Sequence, residues 1–317
     1  MRIRLVSLLV VLSATLATGV SAQDSNVWLP TDRIEDLFKY QDFEVAQFSD
    51  TRFEGDRTQR GTLRFDESTA ILVKWAAAPR GGGSFNNRPA YEAASYEIQK
   101  LFLDEPDYVV PPSVLRAVPL REYPGSHANL EPTFGNVQTV VVSLSYWLAS
   151  VTPDGFHDED RFEADSVYAR HFGDFNLFTH LVRHNDENAG NYLASTDSAN
   201  PRVFSVDNGL SFGRETSDVG FRYRNLQVER FPHATVERLR QVTEEDLHAT
   251  LGVIAQFEER GGQLVQVEPG ENQSESRQVR SRDGVHQFGL TSQEIGWVWD
   301  RIESFLEKVD KGDYTVF

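Results

Sequence analysis

Between Phe43 and Trp75, apolar and polar residues fall in short alternating runs broken at Gly55 and Gly61, the period of half-buried strands. The best run, Thr69-Ala-Ile-Leu-Val-Lys-Trp75, is rich in β-formers and ends on a lysine and a tryptophan. APRGGGSFNNRP, 78 to 89, reads as a loop. After Pro89, which suits a first helical turn, Tyr91, Ala94, Ile98, Leu101 and Phe102 recur at helical spacing, and this helix stops before Pro106. YVVPPSVLRAVPL and NVQTVVVSLSYWL read as two more strands around a turn-rich stretch, Tyr123 to Gly135. Beyond the polar segment Thr152 to Asp165 the spacing turns helical: Arg161 to His184, Ala234 to Glu259, and Ser292 to Val309, the last opened by the capping box Thr291-Ser-Gln-Glu294. One strand, RVFSVDNGLSF at 202 to 212, interrupts these helices. The pattern predicts an α+β fold of two unlike lobes with a cleft between them: a strand-rich front, 23 to 150, and a mainly helical back, 151 to 317.

The first 22 residues change that picture at one end. Arg2 and Arg4 precede the apolar run Leu5 to Ala17 and the small-residue site Val20-Ser21-Ala22, the layout of a cleaved export signal. No other stretch is apolar enough to span a bilayer, so no stable membrane anchor is expected after cleavage. The 317 residues carry 31 Lys and Arg against 48 Asp and Glu, a formal charge of −17, which argues against nucleic acid or an anionic membrane as the main partner. There is no cysteine. Thiol catalysis and thiolate zinc sites are thereby excluded, and an exported chain without disulfides suggests a bacterial periplasmic or secreted protein.

In RHNDENAGNYL, 183 to 193, Asp186 and Asn191 stand five apart, a pair that chance supplies about once in a chain this long. Its weight comes from Asp207, sixteen residues past Asn191 at the end of a strand-forming run. Phosphoryl transfer to a hydroxyl needs a carboxylate to orient the acceptor proton, and an amide oxygen and a second carboxylate to hold hard cations such as Mg²⁺ or Mn²⁺. It also needs a cation on the phosphates. Lys74 closes a front-lobe strand, and Glu92, eighteen residues on in the predicted helix, is placed to pair with it.

ILVKWA, YEAASYEIQKLF with VVPPSVLRAV, FTHLVRHNDENAGNYL and VFSVDNGLSF, in that order, resemble the atypical kinase group that includes phosphatidylinositol 3- and 4-kinases, HipA-type kinases and the secretory-pathway kinases of the Golgi. The resemblance runs from about Ile71 to Phe212. It implies a two-lobed kinase-like fold and an ATP-dependent kinase with Mg²⁺ or Mn²⁺. By that resemblance Asp186 is the catalytic carboxylate, Lys74 and Glu92 the ion pair, and Asn191 and Asp207 the metal ligands. Ser143, Leu144, Ser145, Tyr146 and Trp147 would border the adenine pocket. The acceptor would be a protein or a glycan hydroxyl. No Gly-x-Gly-x-x-Gly precedes Lys74, and the metal segment reads Asp-Asn-Gly.

Other readings stand beside this one. Asn, Asp and Gly also make ordinary solvated turns, which would explain 184 to 191 without chemistry. ATP is scarce outside the cytoplasm, so a nucleotide-binding pseudokinase is the main alternative, or an enzyme using another phosphorylated donor. His180 and His184 have a zinc-type spacing but no third ligand. Gly209-Leu-Ser-Phe-Gly213 matches the nucleophile elbow of serine hydrolases, but the helix required after Ser211 is not predicted.

Overall fold

The computed structural model describes residues 24–49, 58–85, 87–124 and 130–317. The expected signal segment and Gly55 lie outside the described residues.

Strands β1 (Glu44–Ser49), β2 (Thr58–Arg64), β3 (Ala70–Ala77), β4 (Ser113–Pro119) and β5 (Thr139–Tyr146) form one antiparallel sheet in the order β1-β2-β3-β5-β4. Its faces separate by the period of two. Val73 and Trp75 on β3, with Val142 and Leu144 on β5, enter a core shared with Ile34, Leu37 and Phe38 of helix α1 (Thr31–Tyr40), an element the sequence pattern did not suggest. The alternate positions Lys74, Ala76 and Ser143 turn to the other face and line a cleft. Helix α2 (Pro89–Gln99) lies over that face and is buried along nearly its whole length: Ala90, Tyr91, Ala93, Ala94, Tyr96 and Ile98 give it small and apolar contacts, and Glu92, Ser95 and Gln99 are enclosed among them.

The back half opens with β6 (Val151–Thr152), which pairs with β7 (Tyr192–Ser195) and, through it, with β8 (Val203–Ser205). Before β7, the expected helix 161–184 is two: α3 (Glu159–Ala164) and α4 (Ser166–Leu181). Asp165 divides them because its side chain accepts from Val167 and Tyr168 N–H and caps α4. Tyr168, Phe172, Phe175 and Phe178 of α4 pack in one core with Ile295, Val298, Ile302 and Phe305 of α7 (Ser292–Lys311), which starts at the predicted capping box. The short strand β9 (Arg230–Phe231) pairs in parallel with β14 (Thr315–Val316) beside α7.

The expected helix 234–259 is corrected by the structure. It breaks into α5 (His233–Leu239), α6 (Glu244–Leu251) and a strand, β10 (Ala255–Arg260), because Thr243 forms its own capping box with Asp246 and Gly252 ends α6. With β11 (Gln263–Val267), β12 (Val279–Arg282) and β13 (Val285–Phe288), β10 builds a second antiparallel sheet in the order β11-β10-β13-β12. Phe257, Leu264 and Phe288 of this sheet pack against Ala90, Ala93, Leu115 and Val141 of the front lobe. Gln138 N–H donates to Gly262 O at 2.8 Å across the same seam. No helix among the described residues is long and apolar enough to cross a membrane.

Candidate active site in the interlobe cleft

Three of the residues singled out above meet at one point. Lys74 Nζ lies 2.9 Å from Glu92 Oε1 and 2.8 Å from Asp207 Oδ1, joining β3, α2 and the turn after β8. Glu92 is held in turn by Asn208 N–H, which donates to its Oε2 at 3.1 Å. Burial alone would push the Lys74 ammonium down, but the Asp207 and Glu92 carboxylates override it and hold the ammonium above the ordinary lysine value. Burial pushes the Glu92 carboxyl up against the pull of Lys74. Lys74 holds the Asp207 carboxyl below the usual range, and the Asp207 side chain stays 53% exposed towards the cleft.

Asp207 is presented by a strained backbone, with φ +58° in the left-handed region, at a cost of about 1–3 kcal/mol. The following residues, Asn208–Leu210, form a tight 3-10 turn rather than the extended strand expected through 212. The strain turns the carboxylate out of the β8 line and towards Lys74.

Asp186 lines the same cavity, about 700 Å³, together with Thr58, Lys74, Glu92, Ser143 and Asp207. That volume falls in the range that holds a nucleotide-sized ligand. A second hollow of about 690 Å³, at Asp42–Glu44 and Arg64–Glu67 on the sheet edge, contains none of these residues. The turn carrying Asp186 is anchored from behind: Asn188 N–H donates to Asp186 Oδ1 at 3.1 Å and Val206 N–H to Asn191 O at 2.8 Å. Asn191 Nδ2 faces Asp186 O at 3.4 Å, which leaves its Oδ1 as an acceptor-only oxygen.

His184 and His180 go to different places. His184 Nδ1 meets the Tyr192 hydroxyl at 3.0 Å, and burial lowers the His184 value to about 4, so the imidazole is neutral. His180 Nδ1 donates to Arg224 O at 2.9 Å. Along β5, Ser143 opens to the cavity, Ser145 accepts from the Ser113 hydroxyl at 2.8 Å, and Leu144 and Tyr146 turn into the core on the far face. Trp147 is 43% exposed, with the Arg60 guanidinium 5.4 Å from its ring centroid. Ser211 Oγ is buried with no hydrogen-bonding base, and between it and α5 the described residues form only the single 3-10 turn Arg222–Arg224. A serine nucleophile needs such a base.

Sequence reasoning missed the residues that set the cleft floor. Arg88 grips Glu215 through both terminal nitrogens, at 3.1 and 2.8 Å, and also donates to the Tyr91 hydroxyl. A Cβ on Gly213 would come within 2.7 Å of Glu215 and 3.1 Å of Arg88, so glycine leaves room for the pair. Glu187 Oε1 accepts from Tyr223 N–H at 2.7 Å, and Ser217 N–H donates to Asn185 O at 2.9 Å. Segment 213–223 is thus fastened to α2 at one end and to the Asp186 turn at the other.

A carboxylate and an amide oxygen, as on Asp207 and Asn191, are donors of the kind a hard cation takes; Asp207 lines the cavity, whereas Asn191 is buried behind it beside Val206. Among the described residues no group of three or more His, Cys, Asp or Glu side chains could hold a metal.

No family model matches this sequence, and no curated protein matches it. Among solved structures, hydra Fam20 with sugar superposes over 89% of this chain and 90% of its own, at 14% identity and a TM-score of 0.51. A MAP kinase of Leishmania major covers 56% of this chain and 49% of its own, at 15% identity and a TM-score of 0.28, too low to bear on the argument. At such identity the first likeness speaks for the fold, which is two-lobed and kinase-like.

Proposed function

We propose that this protein is a kinase-like phosphotransferase that binds ATP with Mg²⁺ or Mn²⁺ in the interlobe cleft and phosphorylates a hydroxyl of a protein or glycan. The observation that carries the reading is Lys74 bridging Glu92 and Asp207 at the wall of a cavity that Asp186 also lines. Lys74 would lie on the nucleotide phosphates, kept charged by the two carboxylates and kept in place by Glu92. Asn191 and Asp207 would hold the metal ion, which supplies neutralisation of the phosphate charge when bound. Asp186 would accept a hydrogen bond from the attacking hydroxyl and orient it. Catalysis on this reading is positioning and charge stabilisation, with no covalent enzyme intermediate.

The backbone from Ser143 to Trp147, the end of β5 and the residue after it, would border the base, with the Ser143 side chain the one open to the cavity. A glycan acceptor is supported by the sugar in the hydra Fam20 structure and by the acidic surface, which offers nothing to an anionic membrane. Export to a periplasmic or extracellular space is the reading we attach to residues 1–22.

Release or transfer of label from γ-labelled ATP with Mn²⁺ tests the proposal. Turnover by the parent and its loss in Asp207→Ala is the expected result. Binding of ATP and Mn²⁺ without turnover would assign the chain to the pseudokinase class, and equal turnover by parent and variant would remove Asp207 from the mechanism.

A further inference from the structure

Arginines that reach into this acidic molecule are met in one of two ways: Arg88 has Glu215 and Arg202 has Asp24, while Arg280 and Arg116 donate to backbone carbonyls. Three around the turn 180–185 have no carboxylate, and two of them keep a donor unmet. Among the described residues no ion pair reaches Arg183, Arg224 or Arg301; Glu187 and Asp300 act on Arg224 and Arg301 only from a distance.

The three are drawn together by that single turn. Arg301, on α7, donates from Nε to Leu181 O at 2.8 Å. Arg224 donates from Nη1 to Asn185 Oδ1 at 3.0 Å, and its guanidinium lies 3.7 Å from the centre of the half-exposed Phe221 ring, which orients it. Arg183 stands between Leu181 and Asn185, in the left-handed region at φ +52°. Arg183 Nε and Arg301 Nη2 are both buried donors without a partner. Burial first, and the Arg183 charge second, lower both neighbours, Arg301 to about 10. Three like charges gathered with two unmet donors are an unfavourable arrangement unless an anion completes it.

We infer that Arg183, Arg224 and Arg301 form a site for a tetrahedral oxyanion, the phosphate or sulfate group of an acceptor or the free ion. None of the three arginines lines the Lys74 cavity, so the site does not depend on the nucleotide reading. Because Arg224 also holds the Asn185 side chain, one residue before Asp186, occupancy would steady the proposed catalytic turn.

Thermal unfolding of the full chain in millimolar inorganic phosphate, against sodium chloride of equal ionic strength, tests it. A rise in Tm of about 3 °C is expected. The rise should vanish in Arg183→Gln and in Arg224→Gln, return in part in Arg224→Lys, and persist in Lys74→Met. O-phosphoserine in place of phosphate separates the sources: a larger rise points to an ester on an acceptor, an equal one to the free ion. No rise in the parent, a rise retained by both glutamine variants, or a rise lost in Lys74→Met would overturn the site, the last by moving the anion to the cleft.

Discussion

Glu92 and Asp174 are both carboxylates withdrawn from water, the first at the wall of the cleft and the second in the middle of α4. Burial raises both. Glu92 meets the Lys74 ammonium, which pulls against that rise. Among the described residues the Thr235 hydroxyl is the one hydrogen-bond partner of Asp174, at 2.7 Å, and burial pushes the carboxyl up to about 8, so it is a neutral acid at neutral pH. The interior keeps a carboxylate as a structural hydrogen-bonding group by leaving it protonated. The cleft spends a lysine to gather negative charge where a ligand can reach it.

Asp207→Ala is the hardest blow to the cleft side of this contrast. Transfer of label from ATP should fall by about 10³-fold, and a smaller loss would mean that Lys74 and Glu92 suffice without it. Glu92→Gln keeps the side-chain shape, and Lys74 retains Asp207, so activity should fall by about 10²-fold through misplacement of the ammonium. Steady-state turnover with a matched measurement of nucleotide affinity distinguishes that from loss of folding.

Asp174 supplies a test through pH. Its folded value lies above the unfolded 3.8, so the stability it contributes is full below that pH and drains as the pH rises towards about 8. The drain is at most about 1.4 kcal/mol per pH unit. Asp174→Asn should gain on the parent in Tm from about pH 5 to about pH 8, and parallel curves would show that the acid is not neutral in the fold. The smallest effect belongs to a third buried carboxylate, Glu294, which is met by neutral donors alone: Thr291 N–H and hydroxyl, the Tyr91 hydroxyl and Gln278. Thr291→Ala should cost about 1 kcal/mol in denaturant unfolding, since it removes a helix cap without unpairing a charge.

Much of the front lobe was legible because its signals are local. The Thr69–Trp75 run, Pro89 at the start of α2 and the Thr291 capping box each carry their cause within a few residues. Order along the chain also brought Lys74, Glu92, Asp186 and Asp207 to notice before any geometry. The sheet β10–β13 was missed because apolar spacing runs on at a helical period from Ala234 through the breaks at Thr243 and Gly252. Its two hairpins were nonetheless written in the sequence: Gly261-Gly262 and Asp283-Gly284 are two-residue turns with φ of +59° and +76°, and +53° and +77°, the pattern such dipeptides favour. Arg88 and Glu215 could not have been paired from sequence, since 127 residues separate them and neither belongs to a periodic motif. Glu187 was visible but without a role, because its partner is the backbone of Tyr223.

The seam between β10–β13 and the front lobe gives this molecule a second spine. The chain leaves the front lobe once, at Trp147 to Ser150, and then sends Phe257, Leu264 and Phe288 back to it from a hundred residues later along the sequence. A protease cut in that connection would therefore not set the halves free; the nicked pieces should co-migrate under native conditions and part only in denaturant. Opening of the cleft would likewise have to shift that seam or carry the second sheet along with the front lobe.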